Sequence, residues 1–350
     1  MLKPLLDFEK PIAELDTLIE ELKRSAANDE RRKAAEHDNV DIESEISRVE
    51  ERRDKVMREV FANLTPWNRV QMARHPMRPY TLDYINAICT NFVELHGDRI
   101  GADDPAIVGG FCQLNGQTIM AIGHQKGRDL KERQHRNFGS ARPSGFRKAL
   151  RLMQLAARFR KPIVTFIDTP AAEANLMAEE EGISRAIAYN IQQMFHLEVP
   201  IVVAVIGEGG SGGALGIAVG DRVIMMEHSI YSVIPPESCA AILSEFGRDR
   251  GRASDAAAAL KLTAQHALQF HIADSIVSEP LGGAHRDPIA AARVLGNAIA
   301  AELKELASVP TPVLLDARYK RYRSIGSWEE IEREALIVPV PADHVEGPMP

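Results

Sequence analysis

The sequence predicts an α/β domain with parallel strands behind an N-terminal helical arm. Two observations point there. Residues 162–168 (PIVTFID) and 200–206 (PIVVAVI) are β-branched runs that each open on proline, and each is followed by a loop and a helical stretch. Strand–loop–helix units in succession imply parallel pairs joined by right-handed crossovers. Residues 1–75, by contrast, are rich in Glu, Lys and Arg and nearly free of glycine.

Within the arm, Ile12, Leu15, Leu18, Ile19 and Leu22 recur at threes and fours and predict a helix over 12–25. Ile42, Ile46, Val49, Val56 and Val60 predict a second over 41–63, with Arg53 interrupting the stripe. The polar stretch 26–39 joins them. Further on, 106–111 and 118–123 read as strands around Asn115-Gly116, a favoured hairpin dipeptide. A basic segment, 125–142, leads to a helix that runs to about residue 160 with Ser144 as its cap. After 162–168 the pattern gives a helix over 176–197, the strand 200–206, a glycine turn, a helix at 214–219 and a strand at 222–226. Helices are expected at 255–270, capped by Ser254, and at 288–307. From 310 to 350 the chain turns proline-rich and reads as an extended tail with a short helix at 328–335. The organisation expected is thus an arm (1–75), a domain (76–310) and a tail (311–350).

Composition narrows the function. The chain has 350 residues and a net charge of −7, which argues against a nucleic-acid binder. Cys89, Cys112 and Cys239 lie far apart, so neither a zinc ribbon nor a disulfide framework is expected, and no metal. The most apolar run, 199–206, is too short to span a bilayer. A cytoplasmic protein is the expectation.

The chemistry concentrates at residues 207–213, where five of seven are glycine. Successive amides there, opening a helix, make an anion site. Converging on an oxyanion, each donor is worth about 2.7–4 kcal/mol. There is no GKS or GKT ending for a phosphate loop, and Gly207, Gly209 and Gly212 match G-x-G-x-x-G without a clear acidic partner. The same turn satisfies G-x-S-x-G, which would make Ser211 a hydrolytic nucleophile. His228, His266, His271 or His285 would then be its base and Asp249 or Asp274 the orienting acid.

Several segments together resemble the acetyl-CoA carboxylase carboxyltransferase α family over residues 6–324. They include LDFEKPIAEL (6–15), RHPMRPYTLDY (74–84), IGHQKGR (122–128), TFIDTP (165–170), VIGEGGSGGALGI (205–217), YSVIPPESCA (231–240) and DSIVSEPLGGAHRDP (274–288). The resemblance implies a crotonase-like fold of repeated ββα units and an α₂β₂ enzyme with active sites between α and β subunits. It implies carboxyl transfer from carboxybiotin, on a biotin carboxyl carrier protein, to acetyl-CoA, giving malonyl-CoA for fatty acid synthesis. The biotin carboxylase component uses the ATP, and the β subunit carries the zinc ribbon. Amides of Gly209, Gly210, Gly212 and Gly213 would form the oxyanion hole, with Ser211 beside the substrate. A biotin anion left by decarboxylation would take the methyl proton of acetyl-CoA. Lys126, Arg128, Arg133 and Arg136 become the candidates for CoA phosphates or the carboxylate.

One stretch departs. Where the family usually reads GAYPG, this chain has Ala171-Ala172-Glu173-Ala174-Asn175 and then Leu176-Met177. Glu173 is expected to repel a nearby carboxylate. A diverged paralogue with altered acyl-CoA or inhibitor specificity, or reduced activity, is therefore a second expectation, beside the serine hydrolase.

Overall fold

The computed structural model describes residues 4–33 and 42–326. Eight strands form one sheet: β1 (Cys89–Glu94), β2 (Ile107–Leu114), β3 (Gln117–His124), β4 (Ile163–Thr169), β5 (Ile201–Gly210), β6 (Arg222–Met226), β7 (Ile230–Ser232) and β8 (Ser275–Val277). Their order is β1-β2-β3-β4-β5-β6-β8, with β7 pairing the far end of β5. β1, β2 and β3 are antiparallel; β3 through β8 pair in parallel. The β2–β3 hairpin turns at Asn115 (φ 49°) and Gly116 (φ 81°), the left-handed pair that the dipeptide supplies.

Parallel strands are covered on both faces, so β4 and β5 are buried along their whole length rather than at alternate residues. Along β5, Val203 and Val205 face one core with Met120, Phe146, Leu152 and Ile163. Val202, Ala204 and Ile206 face the other, with Tyr84, Phe166, Leu295 and Ile299. Helices α6 (Pro143–Arg158) and α8 (Ile183–Met194) supply the first cover; α4 (Thr81–Ile88) and α13 (Pro288–Leu306) supply the second.

The arm pairs α1 (Lys10–Lys33) with α2 (Ile42–Ala62), so the first helix runs beyond residue 25. Residues 34–41 and the helix expected at 328–335 lie outside the described residues. Arg53, which broke the apolar stripe, reaches Asp16 across the helix pair at 3.7 Å. Ile12, Met57 and Phe61 close on Met72 of the body, at the end of α3 (Pro66–Ala73). A polar latch adds to them: His285 Nε2 contacts Glu9 Oε1 at 2.9 Å. His75 packs against the His285 ring in a tilted arrangement, centroids 4.0 Å apart, its Nδ1 accepting from the Met77 amide and its Nε2 donating to the Pro4 carbonyl. The His285–Glu9 and His75–Pro4 contacts thus tie the start of the arm to the body.

Four helix expectations are corrected. The helix over 176–197 is two, α7 (Leu176–Glu180) and α8, because Gly182 is left-handed (φ 82°). The first helix after the basic segment, containing α5 (Leu130–His135), is α6; it starts at Pro143, and Ser144 is buried inside its first turn rather than capping it. The helix near 214–219 is the short α9 (Ser211–Leu215), because β5 continues through Gly210. Beyond α10 (Pro236–Ile242), the stretch 255–270 divides into α11 (Ala253–Ala259) and α12 (Ala264–Gln269) at Lys261 (φ 48°). Arg252, not Ser254, precedes α11, while Thr263 caps α12.

Nor is the stretch from 311 extended. Thr311–Arg323 is helix α14, and Arg318 inserts from it into the body with 1% exposure. Its guanidinium is bidentate to Asp221 (2.8 and 2.7 Å) and donates to the carbonyls of Met194, Leu197 and Val199. Asp221 in turn accepts from the first amide of β5, Ile201, at 2.7 Å.

Candidate active site

The carboxyl ends of β3, β4 and β5 lie side by side, the position where open parallel sheets bind ligands. Each brings a charged group: Lys126 just past β3, Asp168 in β4 and Glu208 in β5. Lys126 Nζ lies 2.7 Å from Asp168 and 2.8 Å from Glu208, with all three nearly or fully buried. Burial disfavours the Lys126 charge, but the two carboxylates outweigh it and hold the ammonium above its ordinary value. Burial likewise opposes ionisation of Glu208, yet Lys126 and Arg74 hold it below the usual range. Asp168 stays raised, because burial exceeds the help from Lys126.

Beside this cluster runs a cleft lined by Arg74, Pro170, Glu208, Gly209, Gly210 and Ser232. Gly209 and Gly210 are sheet residues, paired with Tyr231 and Ser232 of β7. Gly212 and Gly213 fall in the first turn of α9, which has no side-chain cap, so its leading amides lack intrahelical acceptors. The turn is pressed against the preceding loop: a Cβ on Gly210 would lie 2.0 Å from the Pro170 oxygen, and one on Gly213 2.4 Å from the Ala171 carbonyl carbon. Beneath it, His124 Nε2 donates to the Gly213 carbonyl at 3.2 Å. Burial lowers this imidazole to about 3, so it stays neutral. Arg78, fully buried, ties the strand below the turn by donating to the Ile206 carbonyl at 2.7 Å while pairing with Glu279.

Of the four basic candidates, only Lys126 joins the turn, and its charge is engaged internally. Arg128 stacks on Tyr80 (4.3 Å), pairs with Asp83 and donates to the carbonyls of Pro76 and Arg78. Arg136 pairs with Glu132 (3.2 Å) and donates to Pro105. Arg133, on α5, has no ion-pair or side-chain hydrogen-bond partner among the described residues. Arg74, Asp168, Glu208 and His124 were not singled out by sequence, although polar residues ending β-branched runs signal strand ends.

Ser211 has the strained backbone of an elbow (φ 50°), but no histidine hydrogen-bonds to it among the described residues. His228 bonds Arg69, His266 bonds Thr263 and His285 contacts Glu9. Asp249 holds the Gly251 amide and Asp274 holds Val223. The hydrolase constellation is therefore not assembled. In the divergent loop, Glu173 is drawn to Arg142 (3.1 Å) and Asn175 (3.1 Å), which balances the charge expected to repel a substrate carboxylate.

A family model described as acetyl co-enzyme A carboxylase carboxyltransferase-like matches residues 5–326. The chain belongs to this family. It is 51% identical over 325 residues to the acetyl-coenzyme A carboxylase carboxyl transferase subunit alpha of Geobacter metallireducens, covering 93% of this chain and 98% of that one. The subunit of the same name from Synechococcus elongatus is 50% identical over 326 residues, covering 93% and 96%. Among solved structures, the transcarboxylase 12S core superposes with a TM-score of 0.54 at 18% identity, over 66% of this chain and 42% of that chain. A Pseudomonas malonate decarboxylase hetero-tetramer in complex with coenzyme A gives 0.55 at 13% identity, over 70% and 95%. The fold of this carboxyltransferase-family chain is accordingly crotonase-like. No helix among the described residues is long and apolar enough to cross a membrane.

Proposed function

We propose that the chain is the α subunit of an acetyl-CoA carboxylase carboxyltransferase, moving a carboxyl group from carboxybiotin on a biotin carboxyl carrier protein to acetyl-CoA to form malonyl-CoA. The observation that carries this reading is the identity of about half the residues with named α subunits over 93% of the chain. The site geometry supports it. The reaction moves negative charge on oxygen, and the uncapped first turn of α9 presents backbone donors. The donor set fits a ureido or carboxyl oxygen, so Gly212 and Gly213 would hold it, with the Gly209–Gly210 strand forming the cleft wall. Carboxybiotin supplies a carboxyl group at an activated nitrogen. This chain's residues orient that group, exclude water and fix the turn.

The partners follow from the same reading: a β subunit completing an α₂β₂ enzyme, the carrier protein and a biotin carboxylase. Lys126 becomes an internal support, which leaves Arg133 and Arg128 as the cations nearest in sequence that can meet phosphate. The purified chain, combined with a β subunit, is expected to form malonyl-CoA from acetyl-CoA and carboxybiotin. A β subunit active with another α subunit but inert with this one defeats the proposal. Faster turnover of a longer acyl-CoA would instead favour the diverged paralogue that residues 171–177 suggest.

A further inference from the structure

We propose that Glu208 is a positioning residue for the carboxyl transfer, fixing both the glycine strand and the Arg74 guanidinium on the wall of the cleft. The inference rests on the function proposed above. Glu208 directly precedes Gly209-Gly210 and is 6% exposed. Its two oxygens hold different elements: Oε1 accepts from Lys126 Nζ at 2.8 Å, and Oε2 accepts from Arg74 Nε at 2.7 Å. Its amide donates to Asp168 Oδ1 at 2.9 Å, and that same oxygen takes Lys126 at 2.7 Å. Main chain and side chain of one residue thus close a single ring through Lys126 and Asp168. Rotation of the turn that carries Gly209 and Gly210 breaks several charge-assisted bonds at once.

The charge count shows what Glu208 contributes. Arg74 also donates to Glu237 at 2.5 Å. Two cations, Lys126 and Arg74, therefore face three carboxylates: Asp168, Glu208 and Glu237. Without the Glu208 charge, Lys126–Asp168 and Arg74–Glu237 remain as two balanced pairs. Neutralisation does not require Glu208; the bridge between the pairs does. The bridge also leaves Arg74 Nη2 without a protein partner among the described residues, on a side chain that lines the cleft. Arg74 is the group through which Glu208 acts on an anionic substrate.

The experiment compares Glu208→Gln and Glu208→Asp with wild type, in the full chain combined with its β partner. Glu208→Gln is expected to lower kcat at least tenfold while KM for acetyl-CoA stays within twofold, because both cations keep a carboxylate and the fold survives. Glu208→Asp keeps the charge but shortens the reach, and is expected to share the loss. In the full chain alone, amide exchange in a peptide spanning 207–213 should speed up at least tenfold in both variants. A kcat within twofold of wild type overturns the proposal. So does a loss of kcat that tracks the thermal midpoint and returns on cooling, or an unchanged exchange rate. Should the wild type itself lack carboxyl transfer, the function proposed above fails. The exchange comparison needs no substrate and still decides whether Glu208 holds the turn.

Discussion

Gly210→Ala places a methyl carbon 2.0 Å from the Pro170 carbonyl oxygen and 2.3 Å from its carbonyl carbon. Both atoms are backbone, so no rotamer change relieves the overlap. Real contacts of this kind stay beyond 3.0 Å, so the turn and the Pro170 segment must part by about 1 Å. A misplacement of ~1 Å at reacting groups costs roughly 100-fold in rate. That is about 2.7 kcal/mol of barrier. Gly212→Ala is the internal comparison: its nearest neighbour is Ile187 Cδ1 at 3.3 Å, the end of a side chain that can give way. Steady-state malonyl-CoA formation by each variant with a β subunit, alongside thermal melts, measures the difference. Gly210→Ala is expected to lose about two orders of magnitude in kcat and Gly212→Ala less than one, by the same displacement argument. A Gly210→Ala enzyme keeping half the wild-type kcat, or equal losses in the two variants, refutes the reasoning.

Arg318→Ala leaves the buried Asp221 carboxylate without its countercharge and is expected to cost about 3–5 kcal/mol in urea unfolding. A loss below about 1 kcal/mol, the scale of an exposed pair, speaks against it. Acid should destabilise the fold early. His75 is lowered to about 4 by burial and the neighbouring His285, and His124 to about 3 by burial. Both lie below the unfolded value near ~6.5. The unfolded chain therefore binds protons first, and stability falls as pH drops from about 6.5 through 4 and then 3, by up to ~2.7 kcal/mol per unit while both contribute. Urea midpoints that stay flat between neutral pH and the unfolding limit would contradict this. A fluorophosphonate is expected to leave Ser211 unmodified in intact-mass spectra, since no imidazole activates it; a stable adduct would restore the hydrolase reading.

Much of the architecture was legible because it rests on local patterns. β4, β5 and β6 follow from apolar runs bounded by proline or charge, and the β2–β3 turn from Asn115-Gly116. Helix ends were less legible, since single left-handed residues set them: Gly182 and Lys261 divide helices whose composition is helical throughout. The glycine turn was plain, but its neighbours were not. Lys126, Asp168 and Glu208 stand tens of residues apart, and only the adjacency of β3, β4 and β5 brings them together. Reading Lys126 as a phosphate ligand followed from charge alone; its burial between two carboxylates is a property of the sheet order. The C-terminal helix α14 was missed because its apolar face is slight and its docking depends on one arginine, whose five donors meet acceptors from distant segments.

That arginine has a consequence for how the molecule is made. Arg318 follows Asp221 by 97 residues, yet the first amide of β5 and its buried acceptor rely on it. Synthesis is vectorial, so earlier segments emerge and collapse first. The root of β5 therefore closes only after α14 has left the ribosome. Nascent chains stalled short of residue 318 should leave peptides of β5 open to protease, and release of a few more turns should protect them.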